Sequence, residues 1–228
     1  TEEASAVSQP ANGESEYFKD AKYLSTSRIA GNYPTPAPFT PGSTVNAFIT
    51  GTTGFLGSFL IKQFLNFKSL DFTVYAHVRA SSEQAGFERL VKSLKSYGNY
   101  DPSFESRIKI VVGDLATDKF GLEDSAWKKL NDAVDVIVHN GAMVHWVYPY
   151  EKLRDSNVIS TINVFNMALV GKPKVFDFVS STSTIDTDHY FNLSDTLASE
   201  GKPGLPESTD LMCFSSGLGT GYGPPKWA

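Results

Sequence analysis

Apolar positions along the chain fall into two alternating kinds of run. Val45, Ala47, Phe48 and Ile49 make residues 45–50 a short, nearly continuous apolar stretch, which by length and flanks predicts a buried strand. Residues 55–67 then carry apolar side chains at helical spacing. The alternation continues with strands predicted at 72–78, 108–112, 134–139 and 174–179, and helices at 83–97, 125–130 and 153–170. A helix between successive strands returns the chain across the sheet, so the strands run parallel with both faces covered. The predicted fold class is α/β, a doubly wound parallel sheet of Rossmann type. No internal repeat interrupts it.

Before this pattern, residues 1–15 are small, polar and free of aromatics, as in a solvated linker. Tyr17, Phe18, Ala21 and Leu24 recur at helical spacing with Ser15 placed as a cap, which predicts a short amphipathic helix at 16–24. Pro34, Pro36, Pro38 and Pro41 then impose an extended crossing. The predicted division is therefore linker, helix and crossing over 1–44, and one domain over 45–228. Within that domain, 186–221 is rich in Gly, Ser, Asp and Pro and is expected to be an irregular excursion of the kind that forms lids or binding loops.

Composition narrows the function. The 228 residues hold 20 basic and 25 acidic side chains, a net charge of −5, so no basic face for nucleic acid is expected. One cysteine, Cys213, forms no internal disulfide and no metal cluster, which fits a reducing compartment. No apolar run is long enough for a membrane helix and no signal pattern opens the chain, so the cytosol is expected. The chain starts at Thr1 and ends in Pro225-Lys226-Trp227-Ala228 without a helix stop, and is read as a piece of a longer protein.

Thr50-Gly51-Thr52-Thr53-Gly54-Phe55-Leu56-Gly57 lies between the first predicted strand and the first helix, the context that gives such glycines meaning. Gly51 suits a tight turn, Gly54 a close approach of backbone to pyrophosphate, and Gly57 close helix packing, while the helix N-terminus offers N–H groups to phosphate. The second strand ends at Arg79, where an NAD site carries an acid for the ribose hydroxyls. Arg79 suits a 2′-phosphate instead, so NADPH is the expected cofactor. Arg89 is either a second positive contact or a solvated surface residue. Gly113-Asp114-Leu115 closes the third strand, putting Asp114 near the adenine position. Asn140-Gly141-Ala142 closes the fourth, with Gly141 permitting passage of the cofactor.

Tyr222 and Lys226 stand one helical turn apart, and Ser180-Ser181-Thr182-Ser183-Thr184 follows the fifth strand. These groups suit carbonyl reduction. Tyr222 donates a proton to the developing oxyanion, Lys226 lowers its pKa and holds the ribose, and Thr182 positions the carbonyl oxygen. Pro224 and Pro225 disfavour helical dihedrals in the residues before them, so the last helix is expected to start only at Pro225.

These residues resemble the extended short-chain dehydrogenase/reductases, and among them the terminal thioester reductase domains of carrier-protein enzymes. Asn157-Val158-Ile159-Ser160-Thr161 is similar to the group's Asn-Val-x-Gly-Thr element, with Ser160 in place of glycine. The stretches 139–150, 152–154 with 157–164, and 176–184 look like those of the fungal L-2-aminoadipate reductases; the similarity spans roughly 45–228. The resemblance implies NADPH-dependent reduction of a 2-aminoadipyl thioester to the semialdehyde in lysine biosynthesis. The thioester would ride on a phosphopantetheine arm supplied by upstream carrier and adenylation domains of the same polypeptide. It also implies a substrate-binding subdomain beyond residue 228, so the chain by itself is expected to be inactive.

The remaining candidates read blandly. His139 and His145 lack a carboxylate or cysteine at ligand spacing, so no metal site is predicted, and His77 is expected to be structural. Trp146, Tyr148 and Tyr150 either line a channel for the pantetheine arm or pack under their loop. Asp186, Asp188 and His189 lack a nucleophile elbow. Two rival functions remain: a sugar-nucleotide epimerase or dehydratase of the same fold, which favours an acid where Arg79 stands, and a non-catalytic NADP sensor, in which Tyr222 and Lys226 are dispensable.

Overall fold

Neighbouring residues of the first strand point to opposite sides of the sheet, and that alternation divides the core. The computed structural model describes residues 16–26, 34–209, 211, 218 and 221–228; the predicted linker 1–15 and Cys213 lie outside them. The elements are α1 (Glu16–Thr26), β1 (Thr44–Ile49), α2 (Phe55–Asn66), β2 (Asp71–Val78), α3 (Glu83–Ser96), β3 (Ile108–Val112), α4 (Asp124–Ala133), β4 (Val136–His139), α5 (Tyr150–Arg154), α6 (Ser160–Leu169), β5 (Val175–Phe178), α7 (Asp188–Ser199) and α8 (Gly223–Trp227).

The strands pair in parallel in the order β3-β2-β1-β4-β5. Ile49 lies opposite Ala76 on one side and Val138 on the other. Strand order therefore reverses at β1, and a crevice opens outside the carboxyl ends of β1 and β4. Val45, Ala47 and Ile49 join Val74, Ala76 and Val78 against Ile61 and Leu65 of α2 and Leu90 and Leu94 of α3. Phe48 and Ile137 face the opposite layer, with Phe120, Leu130, Val164 and Met167. Leu90 and Leu94 are wholly buried, each contributing about 2 kcal/mol by removal from water.

Local chemistry sets the helix ends. The Ser82 hydroxyl caps α3 by accepting from the Ala85 N–H. At its other end Gly98 donates to the Lys95 carbonyl and Asn99 to that of Leu94, a Schellman stop.

Four expectations change. The helix predicted at 153–170 starts at Tyr150 and passes through a π-helical segment, Asp155–Ile159, between α5 and α6. The strand predicted from 134 starts at Val136, because Val134 instead ends α4 by donating to the Leu130 carbonyl. The excursion at 186–221 contains α7. Its twelve residues hold neither glycine nor proline and bury Tyr190, while Gly201, Pro203, Gly204 and Pro206 all follow it. Finally, α8 starts at Gly223 rather than Pro225, with Tyr222 already in the right-handed helical region. Prolines in a first turn lack N–H groups that would have no partner there anyway, and Gly223 has no Cβ to clash with the next ring.

Candidate functional site

The glycine turn is held from several sides. Gly51 has φ +69, a left-handed conformation that favours glycine. The Thr52 hydroxyl donates to the His77 carbonyl at 2.7 Å, Ser93 of α3 donates to the Thr53 carbonyl at 2.9 Å, and the Asn140 amide donates to the Gly51 carbonyl at 3.3 Å. Gly54 caps α2 with no side-chain hydrogen bond, so the first N–H groups of that helix are open to an anion. Gly57 is buried inside the turn, whereas Phe55 and Leu56 are exposed.

Beside the turn lies a cleft of about 300 Å³, lined by Gly51, Thr53, Arg79, Arg89, Asp114, Leu115, Gly141 and Ala142, together with His77, Met143 and Ser156. The structure thus brings together half of the residues expected to hold a cofactor, from four strand ends, while Thr50, Gly54, Phe55, Leu56, Gly57, Asn140, Tyr222 and Lys226 are not among the cleft's lining. Arg79 stands 3.9 Å from Asp114, both largely exposed, a pairing too loose to occupy the guanidinium. Asp114 also accepts from the Ala116 N–H at 3.0 Å. Arg89 donates to the Arg79 carbonyl at 2.5 Å, fixing the end of β2 while its remaining donors stay at the cleft wall.

At the end of β4 a buried relay joins the turn to the helix above. The Gly141 N–H donates to Thr50 Oγ1 at 2.8 Å, and the Thr50 hydroxyl pairs with His139 Nδ1, also at 2.8 Å. His139 Nε2–H then donates to Thr161 Oγ1 at 3.1 Å, whose hydroxyl donates to the Asn157 carbonyl at 2.6 Å. Asn157 itself clasps the Met143 backbone, accepting from its N–H at 2.7 Å and donating to its carbonyl at 3.0 Å. That clasp, at the π segment, fixes the strip of cleft formed by Ala142 and Met143. The asparagine opens the Asn-Val-x-Gly-Thr-like element, but spacing alone assigns it no role.

Burial holds the His139 pKa down to about 3, helped by the nearby Lys226 charge and by His77. It holds His77 down to about 4, opposed by Asp114; His77 packs between Phe48 and Phe120, as its expected structural role requires. Both imidazoles are neutral in the native state. An unfolded imidazole takes up its proton near 6.5, so stability is fully present above that value and falls as pH drops toward 5. Denaturant titrations of this chain at about pH 7 and pH 5 test this; equal stability at the two would disprove the assignment.

The catalytic candidates sit at the next strand end. Lys226 Nζ donates to the Val179 carbonyl at 2.8 Å and lies over the Phe178 ring at 4.3 Å and the Tyr222 ring at 5.7 Å. Phe178 in turn stacks near His139. Helix α8 packs on the turn Thr182–Ile185. Thr182 is exposed and lines a separate cavity of about 320 Å³ with Asp186 and Tyr190. So Thr182, Tyr222 and Lys226 are gathered at one corner, next to the cleft and not lining it. The expected depression of the Tyr222 pKa is not found: burial pushes the phenol up, and burial lowers Lys226 to about 8. Lys226 directs its ammonium at a backbone carbonyl rather than at the phenol oxygen.

The loop before α5 divides. Trp146 is 71% exposed, Tyr148 stacks on His145, and Tyr150 is buried with its hydroxyl donating to Asp20. Tyr150 therefore packs and is removed from any channel. Among the described residues no group of His, Cys, Asp and Glu could hold a metal ion, and no helix is long and apolar enough to cross a membrane.

Residues 49–228 match the NAD-binding family described as Male sterility protein. The chain belongs to this family. Among its relatives, L-2-aminoadipate reductase of Saccharomyces cerevisiae is 56% identical over 220 residues, covering 93% of the chain and 16% of that protein. A linear gramicidin synthase of Brevibacillus parabrevis is 36% identical over 181 residues, covering 79% and 3%. In three dimensions the chain is similar to the terminal R domain of the myxalamid PKS-NRPS biosynthetic pathway, with TM-score 0.74 and 29% identity over 93% of this chain and 50% of that one. The chain thus spans a small part of these multidomain relatives and half of the solved domain. Its fold is that of the extended short-chain dehydrogenase/reductases, and family membership supports a nicotinamide dinucleotide as its cofactor. The residues fit that group: an uncapped helix N-terminus faces it from one side and a loosely paired arginine from the other.

Proposed function

We propose that this chain belongs to a multidomain cytosolic reductase of lysine biosynthesis. Its reaction is the NADPH-dependent reduction of a 2-aminoadipyl thioester, presented on the phosphopantetheine arm of a carrier domain, to 2-aminoadipate semialdehyde. One observation carries the reading: a corner with an acid hydroxyl and a buried cation, Tyr222 and Lys226, adjoins a dinucleotide cleft whose far end carries Arg79. The 56% identity to an L-2-aminoadipate reductase supports the choice of acyl group.

The bound nicotinamide supplies the hydride. The chain does the rest. The α2 N-terminus and the turn 50–57 hold the diphosphate. Arg79 holds the 2′-phosphate by charge-assisted hydrogen bonds, and Asp114 with Leu115 borders the adenine. Lys226, mostly protonated at neutral pH with its pKa near 8, holds the ribose hydroxyls and places a positive charge beside Tyr222. Thr182 donates to the thioester oxygen, and Tyr222 transfers its proton to that oxygen as negative charge develops. The thiohemiacetal so formed breaks its C–S bond, and the semialdehyde leaves as the hydroxyl proton passes to the released phosphopantetheine thiol.

Arg79→Asp tests the cofactor end. It removes the phosphate contact and adds like-charge repulsion, so NADPH affinity falls about a hundredfold, roughly 3 kcal/mol, while NADH binding holds or improves. Binding isotherms with both dinucleotides read this directly, and an unchanged preference refutes the role of Arg79.

A further inference from the structure

We infer that Asp20 is a positioning residue for the catalytic corner: by clamping α1 onto Tyr150 and Arg154 it sets the placement of α8, and through α8 that of Lys226. This rests on the role just proposed for Lys226.

The clamp joins residues 130 and 134 positions apart. Asp20 Oδ2 accepts from the Tyr150 hydroxyl at 2.5 Å and from Arg154 Nε at 2.7 Å, and Oδ1 accepts from Arg154 Nη2 at 2.8 Å. The Asp20 side chain is only 12% exposed. This is a two-pronged, sheltered pair with a third donor, unlike a solvated surface bridge. Burial pushes the Asp20 carboxyl up, and the hydrogen bonds from Arg154 and Tyr150 outweigh it, holding it below the usual carboxylate range. Tyr17 adds an edge-on ring contact to Tyr150 at 5.7 Å.

Helix α1 packs against α8, and α8 also touches α5, the π segment and the turn Thr182–Ile185. Within this chain α8 takes its position from these neighbours. Without Asp20, α1 loses its charged anchor, and among the described residues the ion pair left to Arg154 is the exposed Asp155, at 3.8 Å. One wall of the α8 seat is then released, and with it the register between Lys226 Nζ and the Val179 carbonyl.

Two measurements test this. In this chain, hydrogen exchange is followed at the last amides of α8, including the Ala228 N–H that donates to the Pro224 carbonyl. Asp20→Ala raises exchange there at least about tenfold and leaves β1, β2 and α3 unchanged. Lys19→Ala, on the exposed side of α1, changes neither. Should Asp20→Ala fail to fold, Asp20→Asn, which keeps one acceptor oxygen, gives the same pattern at smaller size. In the full-length enzyme, Asp20→Ala lowers kcat at least about tenfold per NADPH-binding site and leaves the NADPH-to-NADH preference set by Arg79 intact. Unchanged exchange at α8 overturns the inference, as does a loss of rate that reappears entirely as fewer binding sites. An unaltered enzyme that reduces no thioester counts against the proposed function, and the exchange result then decides the clamp.

Discussion

Tyr222→Phe lowers kcat for thioester reduction about a thousandfold in the full-length enzyme, while NADPH binds within about threefold of the unaltered affinity. The size follows from what is removed. A positioned acid contributes on the order of a hundredfold to ten-thousandfold, and a thousandfold loss corresponds to about 4 kcal/mol of barrier. The substitution deletes one oxygen and keeps the ring, so the contact between Lys226 and the Tyr222 face persists, along with the Lys226 hydrogen bond to Val179. The dinucleotide cleft loses nothing, because Tyr222 does not line it. Burial raises the phenol pKa, which keeps the hydroxyl protonated at neutral pH and ready to donate. Stopped-flow NADPH oxidation beside equilibrium binding separates the two quantities. A kcat drop of less than about tenfold means the proton comes from elsewhere, and equal losses in binding and rate would mean that the hydroxyl serves cofactor binding rather than proton transfer.

The parts of this molecule that are repetitive were legible in the amino-acid order, and the parts that depend on distant partners were not. Each strand is a short apolar run and each covering helix a longer periodic one, so β1 to β5 follow from spacing alone. The glycine turn needed only its position between Ile49 and Phe55. The π segment at Asp155–Ile159 was invisible because one extra residue in a turn barely disturbs a pattern of apolar positions. Helix α7 was hidden by the glycines and prolines immediately after it. Asp20 carried no signal, since its partners lie more than a hundred residues away. The direction of the Tyr222 shift was missed for a related reason: adjacency to Lys226 could be read from the sequence, whereas burial could not. Met143, Ser156 and His77 joined the cleft through loop and strand ends that local spacing does not place.

Gly57→Ala removes cofactor binding and lowers the stability of the chain by about 3 kcal/mol, the upper end of overpacking costs. A Cβ on Gly57 would run into the Gly51 carbonyl oxygen and lie 2.8 Å from the Thr52 Cα. Both are backbone atoms, so no side chain can swing aside. Either α2 withdraws from the turn or the turn opens. In the first case the buried Ile61 and Leu65 shift against β1 and β2; in the second Gly51 loses the hydrogen bond from Asn140 and the N–H groups of α2 no longer converge on the diphosphate. Gly54→Ala is the comparison. Its Cβ meets only the Gly51 oxygen, at 3.3 Å, a contact that a small adjustment relieves. It therefore leaves the melting temperature almost unchanged and weakens NADPH through the space the pyrophosphate needs, whereas Gly57→Ala lowers melting by roughly 10 °C. Melting curves with and without saturating NADPH distinguish the two. If Gly57→Ala melts with the unaltered chain and still gains stability from NADPH, the close approach of helix to turn is not what holds the site together.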